Sequence, residues 1–276
     1  MMNLFFGHWM LWKWFAGLIF FLFTLMMFPA PTMKIVYAGE VQLPEEVVRV
    51  DSEKELITEL LAGMERHQSY FAFYYPGIAE DFERYHRKSS VYATFMDKLA
   101  AKNGYLMGII SGTCVSICGT RDRFVSFQFH YLTTVKQEKR IAKRVKAIAR
   151  SCRRGRRVER IKKAYDYLLS HMKYDERYYS PYYAFTKGRG ICMTYALAFQ
   201  RIMQEMRIPC VYVKGKNHAW NMVKIGKVWY NVDATWDDAN GGYRYFLKAD
   251  KDFPGHKYSG SQWLSSLKRA KKSYHY

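Results

Sequence analysis

Hydrophobic positions in this chain follow two periods, and the places where one gives way to the other mark out its elements. Leu56, Ile57, Leu60, Leu61 and Met64 recur at helical spacing, with Asp51 or Ser52 placed to cap the first turn. Val91, Phe95 and Leu99 repeat the pattern from Ser89 to Lys102, where Asn103-Gly104 stops it. Tyr105 to Ser111 and Phe124 to Thr133 read as strands; in the second, Val125, Phe127, Phe129 and Tyr131 alternate with Ser126, Gln128 and His130. Residues 136–163 then predict two amphipathic helices broken near Gly155. Tyr182 to Gly190 ends in the loop Lys187-Gly188-Arg189-Gly190, and a helix from Ile191 to Met206 follows. Val211 to Val213, Asn217 to Lys224 and Val228 to Thr235 complete a set of strands, with the turn inside Ile225-Gly226-Lys227. The tail from Trp263 to Tyr276 reads as a short basic helix. Runs of helix and runs of strand, without regular alternation, indicate an α+β fold.

The first 38 residues stand apart. Leu4 to Phe28 is apolar apart from His8 and Lys13, and its uninterrupted part, Trp14 to Phe28, is shorter than the ~20 residues a spanning helix needs. That pattern predicts the apolar region of an export signal, with Val36-Tyr37-Ala38 as a cleavage site; uncleaved, the segment would serve as a membrane anchor. The expected organisation is a leader over 1–38, an α+β region over 39–133 and a catalytic domain over 134–276. The protein is expected to be exported, either secreted or anchored at the outer face of the cell envelope.

Charge adds a second constraint. The 276 residues carry a formal net charge of +20, and residues 1–38 hold only two of the cations, so the excess belongs to the folded part. Residues 136–163 alone hold fourteen Lys or Arg against Glu138 and Glu159. Such faces suit an anionic cell-wall polymer or a membrane surface, or serve simply as solvated surface. No RNA-binding aromatic motif or helix-turn-helix signature accompanies them, so nucleic acid ranks low.

Five cysteines, an odd number, leave at least one thiol unpaired within the chain. Cys114 and Cys118 lie too far apart on one strand for a bridge, and they lack a second ligand pair for zinc. Cys192 differs, because it sits in the first turn of a predicted helix. Free N–H groups and the positive end of the helix dipole there favour the nucleophilic thiolate, and the Cys192 N–H is a candidate oxyanion donor. Gly188 and Gly190 remove side chains where a substrate carbonyl would approach. Downstream, His218 and Asp233 fall on one face of the predicted hairpin. A loop of Ile225-Gly226 puts them directly opposite, and a loop of Gly226-Lys227 makes them diagonal neighbours; either register brings carboxylate to imidazole. Asp233 would orient His218, and the other ring nitrogen would take the proton of Cys192.

These residues lie in three segments: Gly190-Ile191-Cys192-Met193-Thr194-Tyr195-Ala196, Asn217-His218-Ala219-Trp220-Asn221, and Trp229 through Asp233 to Asp238. The segments resemble the transglutaminase-like superfamily in its bacterial exported form, over residues 160–256, including Tyr174-Asp175 and Tyr245-Phe246-Leu247 to His256. Met193-Thr194 departs from that pattern, where members often carry glycine before the tyrosine. The resemblance implies a papain-like core, with the nucleophile helix packed on an antiparallel sheet, and acyl chemistry through a thioester. It implies a peptide or protein substrate and no metal or organic cofactor, with Cys192, His218 and Asp233 as the catalytic triad. Tyr183 is a candidate for oxyanion stabilisation, and Trp220, Trp229 and Trp236 read as core residues. The role of His256 is open. The competing expectation is a non-catalytic envelope-binding or scaffold protein that uses its basic helices.

Overall fold

Two periodicities become two packed units joined by one central helix. A computed structural model describes residues 47–77, 89–118, 124–258 and 261–275. The predicted leader therefore lies outside the described residues, and among those described no helix is long and apolar enough to cross a membrane.

The first unit is a four-stranded sheet in the order β1-β2-β4-β3, formed by β1 (Val48–Arg49), β2 (Tyr70–Tyr74), β3 (Ile110–Cys118) and β4 (Phe124–Tyr131). β1 runs parallel to β2, and the other pairs are antiparallel. Alternation in β4 buries Val125, Phe127 and Phe129 and turns Ser126, Gln128 and His130 the other way. Helix α1 (Glu53–Glu65), capped by Ser52, lays Leu56, Ile57, Leu60 and Met64 on those rings, and α2 (Ser89–Lys102) adds Phe95 and Leu99. Each such side chain contributes about 1.5–3 kcal/mol by leaving water.

Helix α3 (Gly104–Gly108) stands where a strand from Tyr105 was expected. The preceding helix ends at Lys102 as expected, and Asn103 then starts another: its Oδ1 accepts from the Leu106 N–H at 3.2 Å, capping a short turn that buries Tyr105 and Leu106. The strand begins only at Ile110.

The second unit opens with α4 (Val135–Cys152) and α5 (Arg157–His171), as the basic amphipathic pattern predicts. Thr134 and Gln137 form a reciprocal capping box that fixes the start of α4. Ile141, Val145, Ile148, Val158, Ile161, Tyr165 and Leu168 face a shared core with Phe199, Ile202 and Met203 of α7 (Cys192–Glu205). Helix α7 is apolar nearly all round, and its other side sends Leu197 into the first core. A helix with that pattern must be buried, and α7 lies between both cores.

On α7 packs an antiparallel sheet in the order β7-β8-β9, with β7 (Cys210–Lys214), β8 (Ala219–Ile225) and β9 (Val228–Val232). Asn221 of β8 donates to the carbonyls of Ala196 and Val211, tying helix to sheet at 3.0 and 3.2 Å. The expected strand to Thr235 stops at Val232, because Asp233 caps helix α8 (Ala234–Asn240). A parallel pair, β5 (Lys173–Tyr174) and β6 (Arg189–Gly190), flanks the start of α7, with α6 (Pro181–Thr186) between them in the chain. The tail helix, α9, is only Gln262–Ser266; the basic residues beyond it are not helical, and Arg269 bridges to Trp229 of β9. The architecture is α+β, as expected.

Candidate active site

Cys192 is the first residue of α7, and Ile191 at the cap position supplies no side-chain acceptor. The cap therefore leaves first-turn N–H groups to whatever lies above the sulfur. The thiol is buried, 6% exposed, among Ala196, Ala219, Met193 and Tyr212. The glycines before it serve packing. Gly188 has φ +62°, and a Cβ there would lie 2.2 Å from the His171 carbonyl; one at Gly190 would meet Thr194 at 2.3 Å. These glycines let β6 approach α5 and the first turn of α7, a reason the sequence reading did not supply.

The hairpin settles on the loop Gly226-Lys227, since Ile225 pairs with Val228 and Asn221 with Val232. His218 and Asp233 thus take the diagonal register, one just before β8 and the other just after β9. His218 Nε2 lies 2.7 Å from Asp233 Oδ2. With Nε2 held by Asp233, Nδ1 is the ring nitrogen left to serve Cys192, whose proximity adds to the rise of the imidazole. The structure brings all three predicted residues into one chain of contacts.

Each partner shows the strain of its surroundings. Burial drags the His218 imidazolium down, but the bonds to Asp233 and Cys192 and the charges on both outweigh it, lifting the group to about 9. Burial likewise opposes the Asp233 carboxylate, yet the bonds from two histidines keep it below its ordinary value. Asp233 Oδ1 accepts from the Thr235 and Trp236 N–H groups at 2.9 and 3.2 Å, so one carboxylate both caps α8 and orients the ring. Trp236 stacks beside His218, with ring centres 5.1 Å apart, and shields the pair from water.

The second histidine on Asp233 is His256, whose Nε2 lies 2.8 Å from the same Oδ2. Its side chain has no exposed surface. Sequence reasoning left its role open; it lies 23 residues past Asp233, and no periodicity connects the two. His218, Asp233 and His256 place three potential metal-ligand atoms within 4.8 Å of one another. Hydrogen bonding already accounts for that closeness, because both Nε2 atoms meet one oxygen and His256 Nδ1 is taken up by the Pro254 carbonyl at 3.0 Å.

Two tyrosines also face the sulfur. Burial raises Tyr212 and Tyr174, and the charge of Cys192 adds to both. Tyr174 is half exposed and pairs with Gly190, two residues before the thiol, which puts a hydroxyl-bearing ring on the open side of the site. Tyr183, the earlier oxyanion candidate, instead packs its ring on Tyr178 and Tyr182. Trp220 is buried as expected, with Trp229 and Trp236 packed against its cluster.

Behind the site, Tyr165 from α5 places its hydroxyl 2.7 Å from the Asp233 carbonyl and 2.6 Å from Asp237 Oδ2. Asp237 is buried, which pushes its carboxyl up to about 6. In front, Arg177 and Arg189 hold the Asp175 carboxyl well below the usual range, fixing the turn that carries Tyr174. Cys152 and Cys210 are the other free thiols among residues with described side chains, and burial raises both.

Residues 142–234 match the family model of the transglutaminase-like superfamily, a span that holds all three predicted site residues. Among solved structures, a crystal structure of a TGase aligns at 11% identity with a TM-score of 0.32, covering 70% of this chain and 60% of that one. A protein from Cytophaga hutchinsonii described as a candidate cysteine protease aligns at 14% identity with a TM-score of 0.29, covering 42% of this chain and 55% of that one. The chain therefore spans less than two thirds of the length of either. No curated protein matches it significantly.

Proposed function

We propose, from the premise that residues 142–234 carry a transglutaminase-like core, that this cysteine-based enzyme is an exported acyl-transfer catalyst acting on amide bonds of peptides or proteins. The observation that carries the proposal is the unbroken chain from Asp233 through His218 to Cys192, with its 2.7 Å carboxylate–imidazole bond.

Mechanism follows from that chain. His218 Nδ1 takes the thiol proton, and the raised imidazole keeps it. The sulfur attacks the amide carbon, forming a C–S bond while the carbonyl π electrons move to oxygen, where the Cys192 N–H is placed to receive them. Collapse of this intermediate breaks the C–N bond, and His218 returns its proton to the leaving amine. The thioester then accepts water or an amine, whose proton passes to His218 as the C–S bond breaks. Hydrolysis is the default outcome, since amine transfer needs a site that admits lysine and restricts water. A cationic protein surface does little to attract lysine, which also favours water.

A second reading concerns docking. Twelve of the fourteen Lys and Arg side chains between 136 and 163 are exposed, nine on α4 and α5 and three in the turn between them. That density favours attachment to an anionic wall polymer or membrane surface, consistent with export by the apolar leader.

The test is alkylation by iodoacetamide at mildly acidic pH, followed by peptide mapping of the fragment from residue 39. Fast modification of Cys192, with Cys152 and Cys210 slow, and its loss in His218→Ala are expected. Equal slowness at all cysteines would refute the activated nucleophile.

A further inference from the structure

His256 is built into the site more completely than a loop residue needs. Its ring lies in an aromatic box, with centres 3.8 Å from Phe253, 4.2 Å from Trp236 and 4.9 Å from Trp220. An oxygen acceptor faces each ring nitrogen, Asp233 Oδ2 at 2.8 Å and the Pro254 carbonyl at 3.0 Å. A neutral imidazole has one N–H and can serve only one of these two acceptors, whereas an imidazolium serves both.

Resting on the cysteine-acylation reading above, we propose that His256 is a positioning residue which, as an imidazolium bridging Asp233 and the Pro254 carbonyl, shares Asp233 with His218, so that His218 can give up its proton once the acyl-enzyme has formed.

While Cys192 is free, the sulfur and Asp233 together stabilise protonated His218. Acylation removes the sulfur's contribution, leaving Asp233 alone to hold the proton. Deacylation needs His218 neutral, because its Nδ1 must accept the proton of the attacking water. A carboxylate devoted wholly to His218 would keep the ring charged and the thioester trapped. His256 divides that carboxylate's field between two cations and so weakens its grip. The titratable groups around His256 are Asp233, His218 and Tyr245, with Asp237 beyond Asp233 and Cys192 beyond His218. Among them, only His218 changes its proton in the proposed cycle while bonded to the same oxygen.

The probe is p-nitrophenyl acetate, whose acetyl group passes to Cys192 Sγ with release of p-nitrophenolate; water then attacks the thioester, its proton goes to His218, and acetate leaves. His256→Gln keeps an N–H donor for Asp233 and drops the charge, whereas His256→Phe keeps the ring packing and drops both. In either variant the S-acetyl enzyme, followed by intact mass, is expected to decay about five- to tenfold more slowly at pH 7 and to approach the parent rate at high pH. The alkaline limb of Cys192 alkylation should move up by about one pH unit, the effect of removing one nearby cation. A purely structural role would lower the melting temperature without moving either profile. Parental decay and an unmoved alkaline limb in a folded His256→Gln protein would overturn the proposal. So would an imidazole 15N spectrum of the parent at pH 7 showing His256 with a single ring proton, a measurement that needs no folded variant. If the parent fails to acetylate at Cys192, or His218→Ala acetylates equally, the acylation reading itself falls and takes this proposal with it.

Discussion

Asp233→Asn isolates the electrostatic part of the site while keeping its shape. The amide Oδ1 still accepts from the Thr235 and Trp236 N–H groups, so the cap of α8 survives. What changes is the other atom: an NH2 now faces the ring nitrogens that formerly donated to Oδ2. His218 must turn a lone pair on Nε2 toward that amide, which moves its single proton to Nδ1, the nitrogen beside Cys192. The base position is then filled, and the cation loses its counter-charge. The rise of His218 from 6.5 to about 9 corresponds to about 3.4 kcal/mol at ~1.4 kcal/mol per pH unit. Cys192 supplies part of the rise, so removing the Asp233 charge is expected to cost about 2–3 kcal/mol, or roughly 30- to 150-fold in rate. Second-order iodoacetamide rates at Cys192 between pH 5 and 10, with folding checked by circular dichroism, measure this directly. A folded Asp233→Asn protein with the parental rate and profile would show that the Asp233 charge does not support His218.

Three further outcomes are expected. Burial lifts Asp237 to about 6, above its ordinary 3.8, so its contribution to stability is present below about pH 4 and is lost as pH rises through about 6; Asp237→Asn should therefore raise the melting temperature by a few degrees at pH 8 and leave it near the parent value at pH 4. Gly188→Ala forces a side chain into φ +62° and against the His171 carbonyl, and should cost about 1–3 kcal/mol in urea unfolding. Charge reversal at Lys139, Lys143 and Lys146, all exposed on α4, should abolish co-sedimentation with phosphatidylglycerol vesicles, whereas Cys192→Ala should bind like the parent and release steeply with salt; binding unaffected by both the reversal and salt would remove the docking reading.

Most of the elements were legible because their signals are local. The alternation of β4, the amphipathic stripes of α1, α4 and α5, and the serine before α1 act within one or two turns of chain, where side-chain periodicity alone decides which face is buried. The place of Cys192 at a helix start was equally local, and so was the fact that His218 and Asp233 share a face in either hairpin register. Other features depended on partners distant in sequence. Tyr105 sits in a short helix and not in a strand, buried with its hydroxyl donating to Glu138, 33 residues further on. The extended tail is held by pairing with β9, which its own composition does not announce. The register of the hairpin was open between two values until Ile225 met Val228.

His256 shows the division most clearly. A buried histidine between two oxygen acceptors has no sequence signature, since its acceptors come from a carboxylate 23 residues away and a carbonyl in its own loop. Residue chemistry and periodicity along the chain already marked the candidate residues and the faces to be buried. That one carboxylate serves two imidazoles and a helix cap emerges only in the folded chain, because hydrogen-bond partners are assigned by distances in space, and those are fixed only when both cores close around α7.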